Sequence, residues 1–118
     1  MPYTNADKIP MHIQCCYAAF LANGIVKIGV TENLFRRFYG LRSDAKRLFN
    51  STILSYAIAT PCYSARRVER ILLNRLSKDP TGKLHEWLHD IRRVDVVKEL
   101  RIWSDDLIFT RYERRNAK

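Results

Sequence analysis

The sequence predicts an α+β fold: a small three-stranded antiparallel sheet flanked by helices, in the order β-β-α-β-α, followed by a C-terminal helix. Two apolar runs separated by Ala22-Asn23-Gly24 have the form of a hairpin. Two later segments repeat apolar residues at helical spacing. A β-branched apolar run lies between those segments and stops at Pro61. At 118 residues the chain has the length of one ordinary domain. We place that domain over 1–118, with a core at about 13–90 and a helical extension and basic tail at 91–118.

Residues 1–12 carry Pro2, Asn5, Asp7, Lys8 and Pro10, which favour an irregular lead-in, so regular structure is expected from near Ile13. The run 14–21 is apolar on both alternating faces, as in a strand covered on both sides, and 25–30 repeats that character. Asn23 and Gly24 readily take positive φ. A two-residue turn would set Tyr17 opposite Val30. A three-residue loop with a left-handed Gly24 would set it opposite Gly29 and turn Tyr17 and Lys27 to one face. Thr31 and Asn33 offer N-caps to a helix whose stripe is Leu34, Phe38, Leu41, Ala45 and Leu48. Residues 52–60 form the third strand. Ser64 caps the next helix, with Ala65, Val68, Leu72, Leu73 and Leu76 inward and Arg66, Arg67, Arg70 and Asn74 outward. Asp79-Pro80-Thr81-Gly82 reads as a turn. Beyond it come a short segment at 84–88, a weaker helical pattern from Val94 to about Trp103, and a tail with Arg111, Arg114, Arg115 and Lys118.

Apolar residues make up 47% and charged residues 28%, a composition that supports a core and excludes a disordered chain. The net charge of +9 comes from 21 Lys and Arg against 12 Asp and Glu. It attracts polyanions, nucleic acid first, although an acidic protein or an anionic membrane would also answer. Cys15, Cys16 and Cys62 are an odd set, and an adjacent pair cannot bridge without strain, so a reducing cytoplasm is expected. No apolar run approaches membrane-spanning length, and the N-terminal segment has no signal-peptide core.

Four residues break the pattern around them. Glu69 falls within the inward stripe of its helix, where a carboxylate is costly without a partner. It is either one half of a structural ion pair, a side chain reaching around to solvent, or a ligand for a hard cation such as Mg²⁺ or Mn²⁺. Arg37 sits at the edge of the apolar arc of the first helix. It either snorkels or presents a guanidinium to a phosphate at the sheet edge. Lys27 interrupts an apolar strand, as a solvated residue or a functional one. Tyr17 alone would be ordinary strand packing.

Together these residues resemble the GIY-YIG nuclease superfamily. The resemblance runs over about 14–88 and is nearest to the small phage-type branch in which lysine replaces the second signature tyrosine. Cys15-Cys16-Tyr17 matches the first half of the signature only at its tyrosine, whereas Lys27-Ile28-Gly29 matches the second half well. Glu86-Trp87 is similar to a Glu-Trp element of that branch. Where the branch often has a histidine after the catalytic Glu, this chain reads Leu72-Leu73-Asn74. The resemblance implies a metal-dependent endonuclease acting on nucleic acid, DNA more than RNA. It also implies Tyr17, Lys27, Arg37 and Glu69 as catalytic residues, with Glu69 as metal ligand. The expected chemistry has Lys27 lowering the Tyr17 pKa so that the phenolate deprotonates water. Arg36, Arg42, Lys46, Arg47, Arg66, Arg67 and Arg70 are expected to hold the nucleic-acid backbone. A homodimer would be a natural way to cut two strands. The alternatives are a catalytically silent nucleic-acid-binding module and a protein-interaction factor on the same fold. A zinc site from His85, His89 and the cysteines is disfavoured, because Cys15 and Cys16 point to opposite strand faces.

Overall fold

The computed structural model describes residues 3–5, 9, 13–60, 62, 64–77, 86–104 and 106–111. Pro61, the expected 79–82 turn, His85, most of the lead-in and Arg114, Arg115 and Lys118 lie outside the described residues. Strands β1 (Cys15–Leu21) and β2 (Val26–Thr31) form the hairpin, followed by α1 (Leu34–Phe49), β3 (Ile53–Ala59), α2 (Ala65–Leu76), β4 (Trp87–Leu88), α3 (Arg93–Arg101) and β5 (Ile108–Thr110). The sheet is antiparallel with order β4-β2-β1-β3-β5.

Among the described residues, five strands replace the three expected. The two additions are two and three residues long, too short for an alternating pattern to register in sequence. The edges of β2 and β3 recruit them instead, through pairings such as Lys27 with Trp87 and Ala57 with Phe109. The hairpin adopts the three-residue option. Leu21 donates its amide to the Ile25 carbonyl at 2.9 Å, Gly24 has φ 90°, and Tyr17 lies opposite Gly29 with Ala19 opposite Lys27. Tyr17 and Lys27 therefore share a sheet face.

All seven residues of β1 are buried, because helices cover both faces of the strand. On one face α1 packs Leu34, Phe38 and Leu41 onto Cys15, Tyr17, Ala19, Tyr56 and Ile58. On the other, α2 and α3 pack Val68, Leu72, Val96 and Leu100 onto Cys16, Ala18, Ala57 and Ala59. Asn33 caps α1 through its side chain, which accepts from the Arg36 amide at 3.2 Å. Leu48 departs from its expected place in the stripe and is 49% exposed. Phe49, four residues after Ala45, makes the next inward contact, with its ring 5.1 Å from that of Trp87. Ser64 precedes α2 in a left-handed conformation and gives no side-chain cap. The inward stripe of α2 is as expected, with Ala65, Val68, Leu72, Leu73 and Leu76 all buried. Among the described residues no helix is long and apolar enough to cross a membrane.

Candidate active site

Tyr17 stands at the middle of β1 with its ring fully buried, edge-on to Phe38 at 5.5 Å. Its hydroxyl passes over β2 at Gly29. A Cβ built on Gly29 would lie 2.6 Å from the Tyr17 Cζ, so any side chain there would push the ring out of its slot. Glycine is required at this position for close approach, not for a left-handed backbone. At the far side of the slot Arg37 Nε donates to the Tyr17 hydroxyl at 3.0 Å. Arg37 also lines a hollow of about 210 Å³ together with Thr31, Asn33, Arg36 and Gly40. The position of Arg37 at the margin of the apolar stripe thus places one edge of its guanidinium on a buried phenol and leaves the other edge open.

Lys27 is 2% exposed. Its Nζ donates to Glu86 Oε2 at 2.9 Å and to the Ile28 carbonyl at 3.2 Å, 5.6 Å from the centre of the Trp87 ring. Burial draws its pKa below the usual lysine value, and Glu86 opposes that shift. The solvated-lysine reading is therefore set aside. This is a buried cation held by a single carboxylate, and it brings Glu86 into the site, a residue whose sequence signal is only its place in the Glu-Trp element.

Glu69 is half-buried on α2. It faces a cleft of about 640 Å³ with Arg66, Arg67, Arg70, Leu73 and Glu86. Glu69 forms no hydrogen bond or ion pair among the described residues, so the structural ion-pair reading has no partner there. Burial raises its pKa above the usual carboxylate value. The Glu86 charge raises it further, while Lys27, Arg66 and Arg37 pull it down. The cleft connects to β2 through Glu86, which holds Lys27. Strand β4 pairs no further along β2 than Lys27, with one more hydrogen bond from the Ile28 amide to the Glu86 carbonyl at 2.9 Å. Among the described residues no strand continues beside Gly29, Val30 and Thr31.

With Glu86 added, the four expected residues stand as two touching pairs and one carboxylate. Tyr17 touches Arg37, Lys27 touches Glu86, and Glu69 shares a cleft with Glu86. Electrostatics join the sets, since the charge of Glu69 acts on both Tyr17 and Lys27. One expectation is corrected. Lys27 does not acidify Tyr17. Burial pushes the phenol up to about 12, and the group that opposes this is Arg37. Near neutral pH Tyr17 keeps its proton, because its ring and hydroxyl are out of water and the Lys27 ammonium is engaged by Glu86.

The basic residues expected to hold nucleic acid divide among several surfaces. Arg66, Arg67 and Arg70 line the carboxylate cleft, and Arg36 lines the Arg37 hollow. Arg42 lines a separate hollow beside β3. Lys46 is exposed, and Arg47 pairs with Asp44 at 3.0 Å on the exposed face of α1.

A hard divalent cation suits the donor set of the cleft. Two carboxylates face one space, at least one is unpartnered among the described residues, and their mutual repulsion is what a cation relieves. For zinc, His85 lies outside the described residues, His89 is exposed, and Cys15 and Cys16 belong to opposite cores. No group of three or more His, Cys, Asp and Glu side chains is placed to hold a metal ion among the described residues. The three cysteines are free and buried, and burial raises all three thiol pKa values, that of Cys15 to about 12.

The T5orf172 domain family matches residues 14–104, which contain every residue of the slot and the cleft. Comparison with curated proteins and with solved structures finds no significant match.

Proposed function

The chain belongs to the T5orf172 domain family, and on that footing we propose that it is a divalent-metal-dependent endonuclease of GIY-YIG type that hydrolyses phosphodiester bonds in nucleic acid, DNA before RNA. The family is phage-associated, related to nuclease-type folds and commonly tied to nuclease-like or DNA-binding function. The observation that carries the reading is Glu69, a half-buried carboxylate without an ion-pair partner among the described residues, facing a cleft rimmed by three arginines.

Glu69 would hold the cation, with Glu86 lining the same cleft. A bound divalent ion supplies positive charge at the attacked phosphate. Arg66, Arg67 and Arg70 draw the polyanionic backbone into the cleft by charge, which carries no sequence information. Arg37, fixed by Tyr17 on one edge, offers its other guanidinium nitrogens to phosphate oxygens whose charge grows in the transition state. Tyr17 is fully buried and keeps its proton; it anchors the Arg37 guanidinium and does not itself touch the attacking water. The proton lost by that water passes to Glu86, whose Oε2 is held by Lys27 and whose Oε1 accepts no hydrogen bond among the described residues. Lys27 orients that carboxylate.

The test is supercoiled plasmid incubated with and without Mg²⁺ or Mn²⁺, comparing the native chain with Glu69→Gln. Metal-dependent nicking by the native chain and a loss of about 10²–10³-fold or more in the variant, with DNA binding kept, is expected for removal of one transition-state-stabilising group. Undiminished cutting by the variant would take Glu69 out of the site. Salt-dependent binding without nicking would favour a catalytically silent nucleic-acid-binding module, the reading that the missing histidine at Leu72-Leu73-Asn74 favours.

A further inference from the structure

At the edge of the sheet opposite the cleft, β5 pairs with β3 only over Tyr56, Ala57 and Ile58. The beginning of β3 is left to line a hollow of about 480 Å³ with Tyr3, Arg42, Arg93 and Arg111. Buried Ser55 and exposed Leu54 complete its wall. Three elements distant in sequence thus bring three guanidinium groups to one concavity, and no carboxylate is among the described residues that line it.

Two of these arginines are held by their flat faces. The Arg93 Cζ stands 4.7 Å from the centre of the Phe20 ring, and the Arg111 Cζ stands 4.5 Å from that of Tyr3. Stacking satisfies the face of a guanidinium, and since hydrogen bonds to the Tyr3 hydroxyl use only part of its five in-plane N–H donors, the rest are left for another acceptor, which for a planar fork is best a phosphate or a carboxylate. Tyr3 already feels this field. Its phenol is held below the usual tyrosine value, by Arg93 first and also by Arg111. Like charges gathered in a concave space repel one another, and an anion seated among them converts that cost into binding. The composition is the reverse of the cleft, where carboxylates call for a cation. Helix α1 links this hollow to the one that Arg37 lines. Arg37 and Arg42 lie five residues apart on α1, about 7.5 Å along its axis.

We infer that the hollow formed by Arg42, Arg93 and Arg111 around Tyr3 is a second phosphate-binding site, which grips a segment of nucleic-acid backbone separate from the segment in the Glu69 cleft. This rests on the nucleic-acid reading above and adds to it a footprint that extends along α1 to the β3 edge.

The test is binding of a duplex DNA of about 20 base pairs by fluorescence anisotropy, in EDTA so that no cleavage intervenes, over about 50–300 mM KCl. Arg93→Gln/Arg111→Gln is compared with the native chain and with Lys98→Gln/Arg101→Gln, which removes the same charge from exposed positions on α3. The hollow variant is expected to bind about tenfold more weakly and to lower the slope of log Kd against log salt by about one for each phosphate that it no longer neutralises. The charge-matched control should keep a slope near native. Arg93→Lys/Arg111→Lys guards against a fold defect. With charge retained, its slope should return toward the native value while circular dichroism and Tm remain native. An unchanged slope in the Gln variant overturns the inference, as does an equal loss in the control, which would reduce the effect to net charge. A native chain that fails to bind the duplex at any salt defeats the nucleic-acid reading itself. Native binding with an unaltered variant defeats only the second site.

Discussion

Beside β2 the strand β4 pairs only at Val26 and Lys27, and beside β3 the strand β5 pairs only at Tyr56, Ala57 and Ile58, so each edge of the sheet leaves a hollow open. The first contains Glu69 and Glu86 among Arg66, Arg67 and Arg70, whereas the second contains Arg42, Arg93 and Arg111 with no acid among its described lining residues. Both contribute to the same net charge of +9, yet the chemistry they can support differs. A concavity with an unpartnered carboxylate can gather a cation and a polyanion together, which hydrolysis needs. One with arginines alone can only hold an anion. The distribution of charge, more than its sum, separates a reacting place from a gripping place.

The comparison breaks most readily at Arg37. Replacing it by Ala removes both the phosphate clamp and the hydrogen bond to Tyr17, and cleavage at saturating DNA should fall by about 10²–10³-fold, the scale for losing one oriented donor to a developing anion. Arg37→Lys should recover little, since a lysine cannot bond Tyr17 and a phosphate through one planar fork. Single-turnover cleavage measures both. A rate within a few-fold of native for Arg37→Ala would show that the phosphate is bound elsewhere.

Gly29→Ala tests the slot that aims Arg37. The added Cβ meets the Tyr17 ring and its hydroxyl. Overpacking of this kind costs about 1–3 kcal/mol, visible as a lower urea midpoint, and cleavage should drop with it because the ring carries Arg37 along. A fully active, equally stable variant would mean that Tyr17 has room to yield.

A smaller effect of opposite sign is expected at Glu69. Its pKa is raised in the folded protein, by burial first and by Glu86 second. The folded state therefore holds this proton more tightly than the unfolded one. The stabilisation is complete below the unfolded value near 4.5 and is lost as pH rises through the folded value. In EDTA, at pH above the folded-state value, the native chain carries the unfavourable ionised form, and Glu69→Gln should there be more stable by on the order of 1 kcal/mol, a usual trade at a functional position. The gap should close below about pH 4.5. Thermal melts against pH measure it, and added Mg²⁺ should stabilise the native chain but not the variant. A variant less stable than native at neutral pH would instead give Glu69 a structural partner.

How much of the fold and the site is legible in sequence follows from the range of each signal. The three long strands and both long helices rest on local patterns of apolar periodicity, which are visible in sequence, whereas the hairpin has two registers open in sequence and the left-handed Gly24 of the structure selects Tyr17 opposite Gly29. Glu69 and Arg37 are conspicuous because each sits where its helix face should be apolar. Glu86 and the β3-edge arginines are not conspicuous, because an exposed Glu next to a Trp or an Arg at a helix start is ordinary. Their meaning comes from β4 and β5, whose two and three residues are too short to announce themselves. The proton on Tyr17 escapes sequence reasoning for a related reason. One of the two registers open in sequence places Lys27 on the same face, but Glu86, 59 residues away, is the group that engages it.

The exposed face of α1 supplies the baseline for both hollows. Arg47 there pairs with Asp44 at 3.0 Å, one turn apart, with both side chains substantially solvated. Water screens such a pair and side-chain entropy offsets much of its attraction, so Asp44→Ala should change stability by no more than about 0.5 kcal/mol. Removing Asp44 also frees the Arg47 guanidinium. If α1 is the track along which backbone runs from Arg37 to Arg42, the freed cation should tighten duplex binding by a few-fold and steepen its salt dependence slightly, with no change in the midpoint of unfolding. Anisotropy titrations at two salt concentrations read this directly. Unaltered binding would place α1 away from the nucleic acid and leave the two hollows as separate contacts, and weaker binding would mean that Asp44 orders Arg47 toward a phosphate instead of withholding it.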